Sequence, residues 1–308
     1  MNTSLDTVRV AAAGAGTYYY PQFVARALGF FADEGLNVEV DVLGGGPGVP
    51  RSVASGKADI GLGGIWSTLM YREHVYRDPP EAPFAFAQMC IRSPGIVLAR
   101  EPQPGFEWAA LEGKVLVSPV GSPGPLLLLH DILRNSRVKP DRVRFIQDFQ
   151  ADEASTLFRG GMGDLFVAMP PLAEQLQDAG VGCEVANLAS LGEYPWSVFF
   201  ARKEFLDRTD RAAGRFATAI RRALQWCLAH EPEEEPAIAQ RHFPNLRLEL
   251  VAASVRACRN RGLWIDSVRV DEPALTRWQE LIVEGGYIDA PRPFADAVDS
   301  RAADQAHA

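Results

Sequence analysis

The chain has 308 residues, and its 39 Asp+Glu outnumber 31 Lys+Arg to give a formal charge of −8. That balance argues against non-specific binding of nucleic acid or of anionic membranes, since both want clustered positive charge. At roughly 150 residues per domain the length predicts about two folding units, each large enough to dispense with a metal or disulfide staple.

No apolar run approaches the ~18 residues of a membrane span. The opening Met1–Thr7 has neither a basic nor an apolar leader region, so it does not read as a signal peptide. The expectation is a cytoplasmic chain, or an exported one whose leader is missing from this sequence. Cys90, Cys183, Cys227 and Cys258 form no C-x-x-C pair and read as small buried hydrophobes, with a single disulfide left open. No cofactor motif or metal-ligand spacing stands out. Lysines occur only at 57, 114, 139 and 203, which leaves few candidates for Schiff-base chemistry.

Strands and helices alternate from the start, which predicts an α/β architecture. Val8–Ala12 reads as a strand ending at Gly14-Ala15-Gly16, and Thr17 as the cap of a helix burying Tyr20, Phe23, Val24, Ala27 and Leu28. Gly29 closes that helix. Leu36–Val42 alternates at period two, a half-buried strand. Gly44–Gly48 turns into a helix over about 49–54, Asp59–Gly63 is a short strand, and Gly64-Ile65-Trp66-Ser67 opens a helix reaching about Tyr76. A strand follows over Phe84–Ile91.

A second α/β series begins near Ser93. Strands are expected over 115–118, 142–146 and 164–168, the last ending at Met169-Pro170-Pro171. Helices are expected from Gly121-Ser122-Pro123 to Leu133 and over about 154–159. Gly56–Gly61 and Gly161–Phe166 share one pattern: a glycine closing a helix, Asp three residues on, then a strand. The apolar stretches Gly95–Ala99 and Trp196–Phe200 bracket this series and read as extended crossings between two lobes. From about Arg211 the sequence turns helical, with Phe216, Ile220, Leu224 and Cys227 on one face and Leu275, Trp278, Leu281 and Ile282 on another. Asp299–Ala308 reads as a loose polar tail.

The segment Ala25–Val38 (ARALGFFADEGLNV) is followed in order by Ser55–Gly61, Leu111–Lys114, Gly161-x-x-Asp164 with Pro170-Pro171, and a C-terminal helical lobe carrying Trp226, Trp264 and Gly285–Ile288. Together these resemble the periplasmic solute-binding proteins of the nitrate, sulfonate, taurine and thiamine-pyrimidine group. The resemblance spans about residues 8–290. It implies an α/β, two-lobe type II periplasmic-binding-protein fold with a ligand cleft between the lobes. Lobe I would be 1–94 plus 197–308, and lobe II 95–196. It further implies capture of a small anionic or heteroaromatic solute, sulfonate- or pyrimidine-like, by lobe closure. The partner would be an ABC transporter permease and the location the periplasm or cell envelope.

In such lobes ligands sit beyond the carboxyl ends of the strands, where helix N-termini favour anions. The candidate ligand-binding residues are therefore Gly16, Thr17, Tyr18 and Tyr19; Gly45; Gly64, Ile65, Trp66 and Ser67; and Gly121 and Ser122. Met169 ends the last strand of the second series. Arg92 and Tyr194 flank the crossings, Arg92 as an anion partner. For the hydroxyl residues the alternative is a helix cap, for Tyr20 and Trp66 core packing, and for Arg92 a solvated surface position.

Some relatives of this group are leaderless enzymes: pyrimidine-precursor synthases, desulfinases and decarboxylases. The synthases carry a lysine and a histidine where this chain has Gly63 and Ser67. They also carry a cysteine cluster where it reads Leu191-Gly192-Glu193-Tyr194-Pro195-Trp196. Both departures argue against that activity. His74, His130, His230, His242 and His307 do not read as general bases, and no catalytic residue is assigned. Cys90 is the one thiol expected near the cleft. A ligand sensor on the same fold is a further alternative.

Overall fold

The computed structural model describes residues 5–70, 82–120 and 123–308. The chain divides into two compact units, residues 1–92 with 193–308, and residues 93–192.

In the first unit, β1 (Asp6–Ala12), β2 (Leu36–Val42), β3 (Ile60–Gly63), β4 (Phe84–Cys90) and the strand Ser197–Ala201 form one sheet in the order β2-β1-β3-(197–201)-β4. β1 pairs in parallel with β2 and β3, while Ser197–Ala201 runs antiparallel to both β3 and β4. β1, β2, β3 and β4 therefore point the same way and end on one edge. β2 shows why the alternation was legible: Leu36 and Val38 are buried while Asn37 and Glu39 face solvent. α1 (Tyr20–Ala27) buries Tyr20 to Ala25 and ends before Gly29, whose φ of 76° suits the glycine. Ala27 is exposed and Leu28 half-buried, so the apolar face is shorter than the periodicity suggested. α2 (Phe30–Asp33), α3 (Gly48–Ala54) and α4 (Trp66–Leu69) complete the early part.

In the second unit, β5 (Ile96–Ala99), β6 (Val115–Val117), β7 (Arg144–Ile146), β8 (Leu165–Ala168) and β9 (Cys183–Asn187) take the order β7-β6-β8-β5-β9. β6 is parallel to β7 and β8, and β5 is antiparallel to β8 and β9. α5 (Gly124–Asn135), α6 (Ala151–Arg159) and α7 (Leu172–Asp178) connect them. The core joins Ile96, Leu98, Val117, Phe158 and Phe166. Arg100 lies over the Phe158 ring at 4.3 Å and donates to the carbonyls of Phe158, Met162 and Gly163. The stretches expected as crossings are thus sheet strands, β5 and β10 (Ser197–Ala201), each fully buried. Their unbroken apolar character follows from lying inside a sheet.

The repeated Gly-x-x-Asp pattern has a structural role. The Asp59 carboxylate accepts from the Arg9 N–H at 2.9 Å and the Asp59 N–H returns a bond to the Arg9 carbonyl. In the second unit Asp164 accepts from the Val115 N–H at 2.8 Å and donates to the Val115 carbonyl. In both, the aspartate locks the register of a strand entering the sheet.

The helical remainder of the first unit comprises α8 (Lys203–Leu206), α9 (Ala212–Ala229), α10 (Pro236–His242), α11 (Leu248–Asn260), α12 (Glu272–Glu284), α13 (Phe294–Ala297) and α14 (Arg301–Ala306). The predicted faces of α9 and α12 are buried. Phe216 of α9 packs on Phe31, Phe86 and Phe199. The expected loose tail is instead α14, which buries Ala302, Ala303 and Ala306. Asp299 N–H bonds the Ala85 carbonyl of β4, and Arg301 pairs with Asp207 and Asp299. Small alanines looked featureless in sequence because their burial needs a partner helix close by.

The cysteines are free: Cys90, Cys227 and Cys258 are buried, while Cys183 is half-buried. No helix of the described residues is long and apolar enough to cross a membrane.

Candidate functional site

The parallel strands of the first unit deliver three glycine loops to one edge. β1 leads through Gly14–Gly16 into the single 3-10 turn Thr17–Tyr19 and then α1; β2 leads through Gly44–Pro47 into α3; β3 leads through Gly64-Ile65 into α4. Ala13 N–H bonds the Leu62 carbonyl at 2.9 Å, so the first and third loops leave the sheet side by side.

Two hydroxyls sit over this junction. A Cβ added at Gly14 would lie 2.7 Å from the Tyr18 Oη, so only glycine lets the phenol close over the loop. One added at Gly63 would lie 3.5 Å from the Ala13 methyl and 3.8 Å from the Ser67 Oγ. Neither the Tyr18 nor the Ser67 hydroxyl takes a hydrogen-bond partner among the described residues, although Ser67 is only 6% exposed. Burial, with smaller contributions from Cys90 and Cys258, raises the Tyr18 pKa well above the ordinary phenol value. Tyr18 therefore stays protonated and can donate.

The backbone around Tyr18 is fixed from behind. Its carbonyl accepts from the Trp264 indole at 3.1 Å and from the Cys90 thiol at 3.2 Å. Thr17 is fully buried and its hydroxyl shares a 2.7 Å hydrogen bond with Ser254 of α11, so it acts neither as a helix cap nor as an open hydroxyl. Tyr19 is buried against Tyr18, its hydroxyl 3.5 Å from Ser197. Gly16 caps the turn, its carbonyl accepting from Tyr19 N–H.

Trp66 folds back over Gly64, where a Cβ would fall 2.0 Å from the indole. It joins Trp196 at 5.1 Å and Trp278 at 5.9 Å in a buried cluster that Tyr194 completes at 5.1 Å from Trp278. Ile65 is fully buried. Ser67 and Thr68 N–H groups already bond the Gly64 and Ile65 carbonyls, which weakens the expectation of free helix-terminal donors at α4. Gly45 is exposed at the end of β2. Arg92 pairs with Glu193 at 2.8 Å.

Met169 is half-buried at the end of β8 in the second unit. Gly121, Ser122 and His74 lie outside the described residues. The structure thus sets the loops that carry Gly16–Tyr19 and Gly64–Ser67 side by side, gathers Tyr194 with Trp66 in one aromatic cluster, and sets Gly45 and Arg92 at other points of the first unit. Cys90 is fully buried and burial pushes its thiol up to about 12, the opposite of an activated nucleophile. Among the described residues no group of acidic, histidine and cysteine side chains is placed to hold a metal ion.

Sequence reasoning missed Trp264, Ser254, Trp196 and Trp278 as supports of the site. They lie more than 170 residues from Tyr18, and no local pattern announces contacts of that range.

Known proteins share this architecture. YtlA of Bacillus subtilis (strain 168), whose name marks it as a conjectured binding protein, is 24% identical over 304 residues, covering 98% of this chain and 90% of YtlA. The periplasmic aliphatic sulphonate binding protein SsuA from Escherichia coli superposes with a TM-score of 0.75 at 14% identity, covering 96% of this chain and 98% of SsuA. The desulfurization enzyme DSZB superposes with a TM-score of 0.67 at 16% identity, covering 98% and 99%. These structural likenesses establish the fold. The family model described as NMT1/THI5 like matches residues 16–235, from the Gly16 turn through α9, and the chain belongs to that family.

Proposed function

We propose that the protein is the substrate-binding component of an ABC-type importer and captures a small organic anion, with sulfonates the first class to test. The carrying observation is the pair of unengaged hydroxyls, Tyr18 and Ser67, over adjoining glycine loops at the ends of β1 and β3. The three loops, 13–19, 43–48 and 63–70, contain no Asp or Glu in a chain of net charge −8. Donor hydroxyls on an acid-free glycine backbone suit an oxyanion, because no carboxylate repels it and small residues let it approach the chain. SsuA, of the same fold, binds aliphatic sulphonates. A periplasmic location, a permease partner and capture by closure of the lobes belong to the same proposal. The heteroaromatic, pyrimidine-like solute is kept as a second ligand class for the same screen.

The enzyme reading gains nothing from Cys90, whose thiol is buried and held in its protonated form. A thermal-shift screen of sulfonates, pyrimidines and aromatic carboxylates tests the proposal. A ligand at 100 times its Kd stabilises by about 2.7 kcal/mol, a readily measured shift. We expect a sulfonate to raise the melting temperature and Tyr18→Phe and Ser67→Ala each to weaken it by about 5–10-fold, the loss of one hydrogen bond. A sulfonate hit bound equally well by both variants would refute the assignment. Trp66→Ala is unsuited to this purpose, since it opens the aromatic cluster.

A further inference from the structure

The free edge of β4 is covered by the chain after α11: Ile91 N–H bonds the Leu263 carbonyl and Gln88 N–H the Val268 carbonyl. Between this covering segment, the end of β4 and the stretch Glu193–Pro195 lies a cavity of about 480 Å³, wholly within the first unit. That volume falls in the range of small-molecule sites. Of the candidates named from sequence only Tyr194 lines it; the loops carrying Tyr18 and Ser67 do not.

Most polar groups on its wall already have partners. Glu193 pairs with Arg92 at 2.8 Å, Arg269 with Asp304 at 3.0 Å, and Asp271 accepts from the Ala274 N–H at the start of α12. Gln88 differs. It is 3% exposed, lines the cavity, and its carboxamide takes no hydrogen-bond partner among the described residues. The carboxamide of a residue that lines the cavity can bond a group that enters it. With the Glu193 and Arg269 charges matched, Asp271 and Glu272 remain as negative charge on the wall. The field there favours cations, opposite to the acid-free loops of the Tyr18 site.

We propose that this cavity is a second binding site, for a small organic cation bearing amidinium- or ammonium-type N–H donors. The Gln88 carbonyl accepts one N–H, and Asp271 and Glu272 supply the attracting charge, as charge-assisted bonds require. Ile265, Val270 and Pro273 offer an apolar wall to the ligand's body.

The test uses the full chain and three probes of one shape: benzamidine, benzamide and benzoate, titrated by calorimetry. Benzamidine should bind with a Kd below about 1 mM, benzamide about tenfold more weakly, and benzoate not measurably. Gln88→Leu should weaken benzamidine about tenfold, and the exposed Glu272→Gln about threefold with a shallower salt dependence. Both variants should keep any sulfonate affinity, which separates failure of this site from failure of the Tyr18 site. Equal binding of benzoate, no benzamidine binding up to about 10 mM, or an unchanged affinity in folded Gln88→Leu would each overturn the proposal. Should Gln88→Leu not fold, Glu272→Gln and a crystal structure with benzamidine decide. Density for the probe away from Gln88 would count against it.

Discussion

The two units are built on one plan and finished differently. Both sheets place an antiparallel strand fourth, between a parallel trio and an outer strand. In the first unit that strand, β10, comes late in the chain; in the second, β5 comes first. Each parallel trio is keyed by an aspartate that clasps the incoming strand's backbone, Asp59 on Arg9 and Asp164 on Val115. The first unit alone adds the helices from α9 onward. Two of its additions reach the candidate site: Ser254 holds Thr17, and Trp264 holds the Tyr18 carbonyl. The shared plan makes a sheet, and the added helical layer fixes the orientation of the loop that carries Tyr18.

The comparison is tested most severely at the two cores. Phe216→Ala in the first unit and Phe158→Ala in the second should each cost about 3–5 kcal/mol in denaturant unfolding. Each ring is fully buried; Phe216 has three aromatic neighbours, while Phe158 has Phe166 and the Arg100 guanidinium. A loss below about 1 kcal/mol for either would mean that its core packs otherwise. Next comes deletion of residues 299–308, expected to cost about 3 kcal/mol, at ~0.8 kcal/mol per buried methyl plus the Arg301 ion pairs. An unchanged melting temperature would restore the loose tail.

The aspartate clasps should be closer in size. Asp59→Ala and Asp164→Ala should each cost about 1–3 kcal/mol, the range for a hydrogen bond to a charged group, with Asp59 the larger because it also pairs with Arg9 at 3.0 Å. The reverse order would show that the ion pair contributes nothing.

A further effect appears only in acid. Burial, with repulsion from Arg26 and Arg241, lowers the His242 pKa to about 4, so it is neutral in the folded protein where the unfolded chain would be protonated. The unfolded state then binds the extra proton, and stability falls as pH drops from about 6.5 towards about 4. His242 stacks on Phe23 at 4.1 Å, and His242→Phe should flatten this fall. His130 of the second unit is lowered in the same direction, by burial and then Arg134. Unfolding followed from pH 7 to pH 4 in His242→Phe and His130→Phe compares the two. An unaltered pH slope in His242→Phe would remove His242 as the cause.

Local order was legible because it is written in short-range periodicity: β2 in its alternation, α9 and α12 in their apolar faces, the end of α1 at Gly29. The repeat was legible too, but only the sheet gave Asp59 and Asp164 their shared role. The candidate site was half legible. Glycine loops and neighbouring hydroxyls at strand ends mark Tyr18 and Ser67. Nothing local distinguishes them from Thr17, whose hydroxyl is taken by Ser254, or from Trp66, which is taken by Trp196 and Trp278. Those choices depend on contacts 130 or more residues away, which periodicity does not carry. Gln88 was invisible for the same reason, being one polar residue in an apolar strand until the segment covering β4 encloses it.

The central claim, that Tyr18 and Ser67 hold an organic anion, is tested most directly by calorimetric titration. The sulfonate that most stabilises the wild type is titrated into it and into the double variant Tyr18→Phe, Ser67→Ala. The account predicts a loss of affinity of about 30-fold or more, two hydrogen bonds at ~1 kcal/mol each, with the melting temperature of the free protein unchanged. An unaltered Kd in the folded double variant would contradict it.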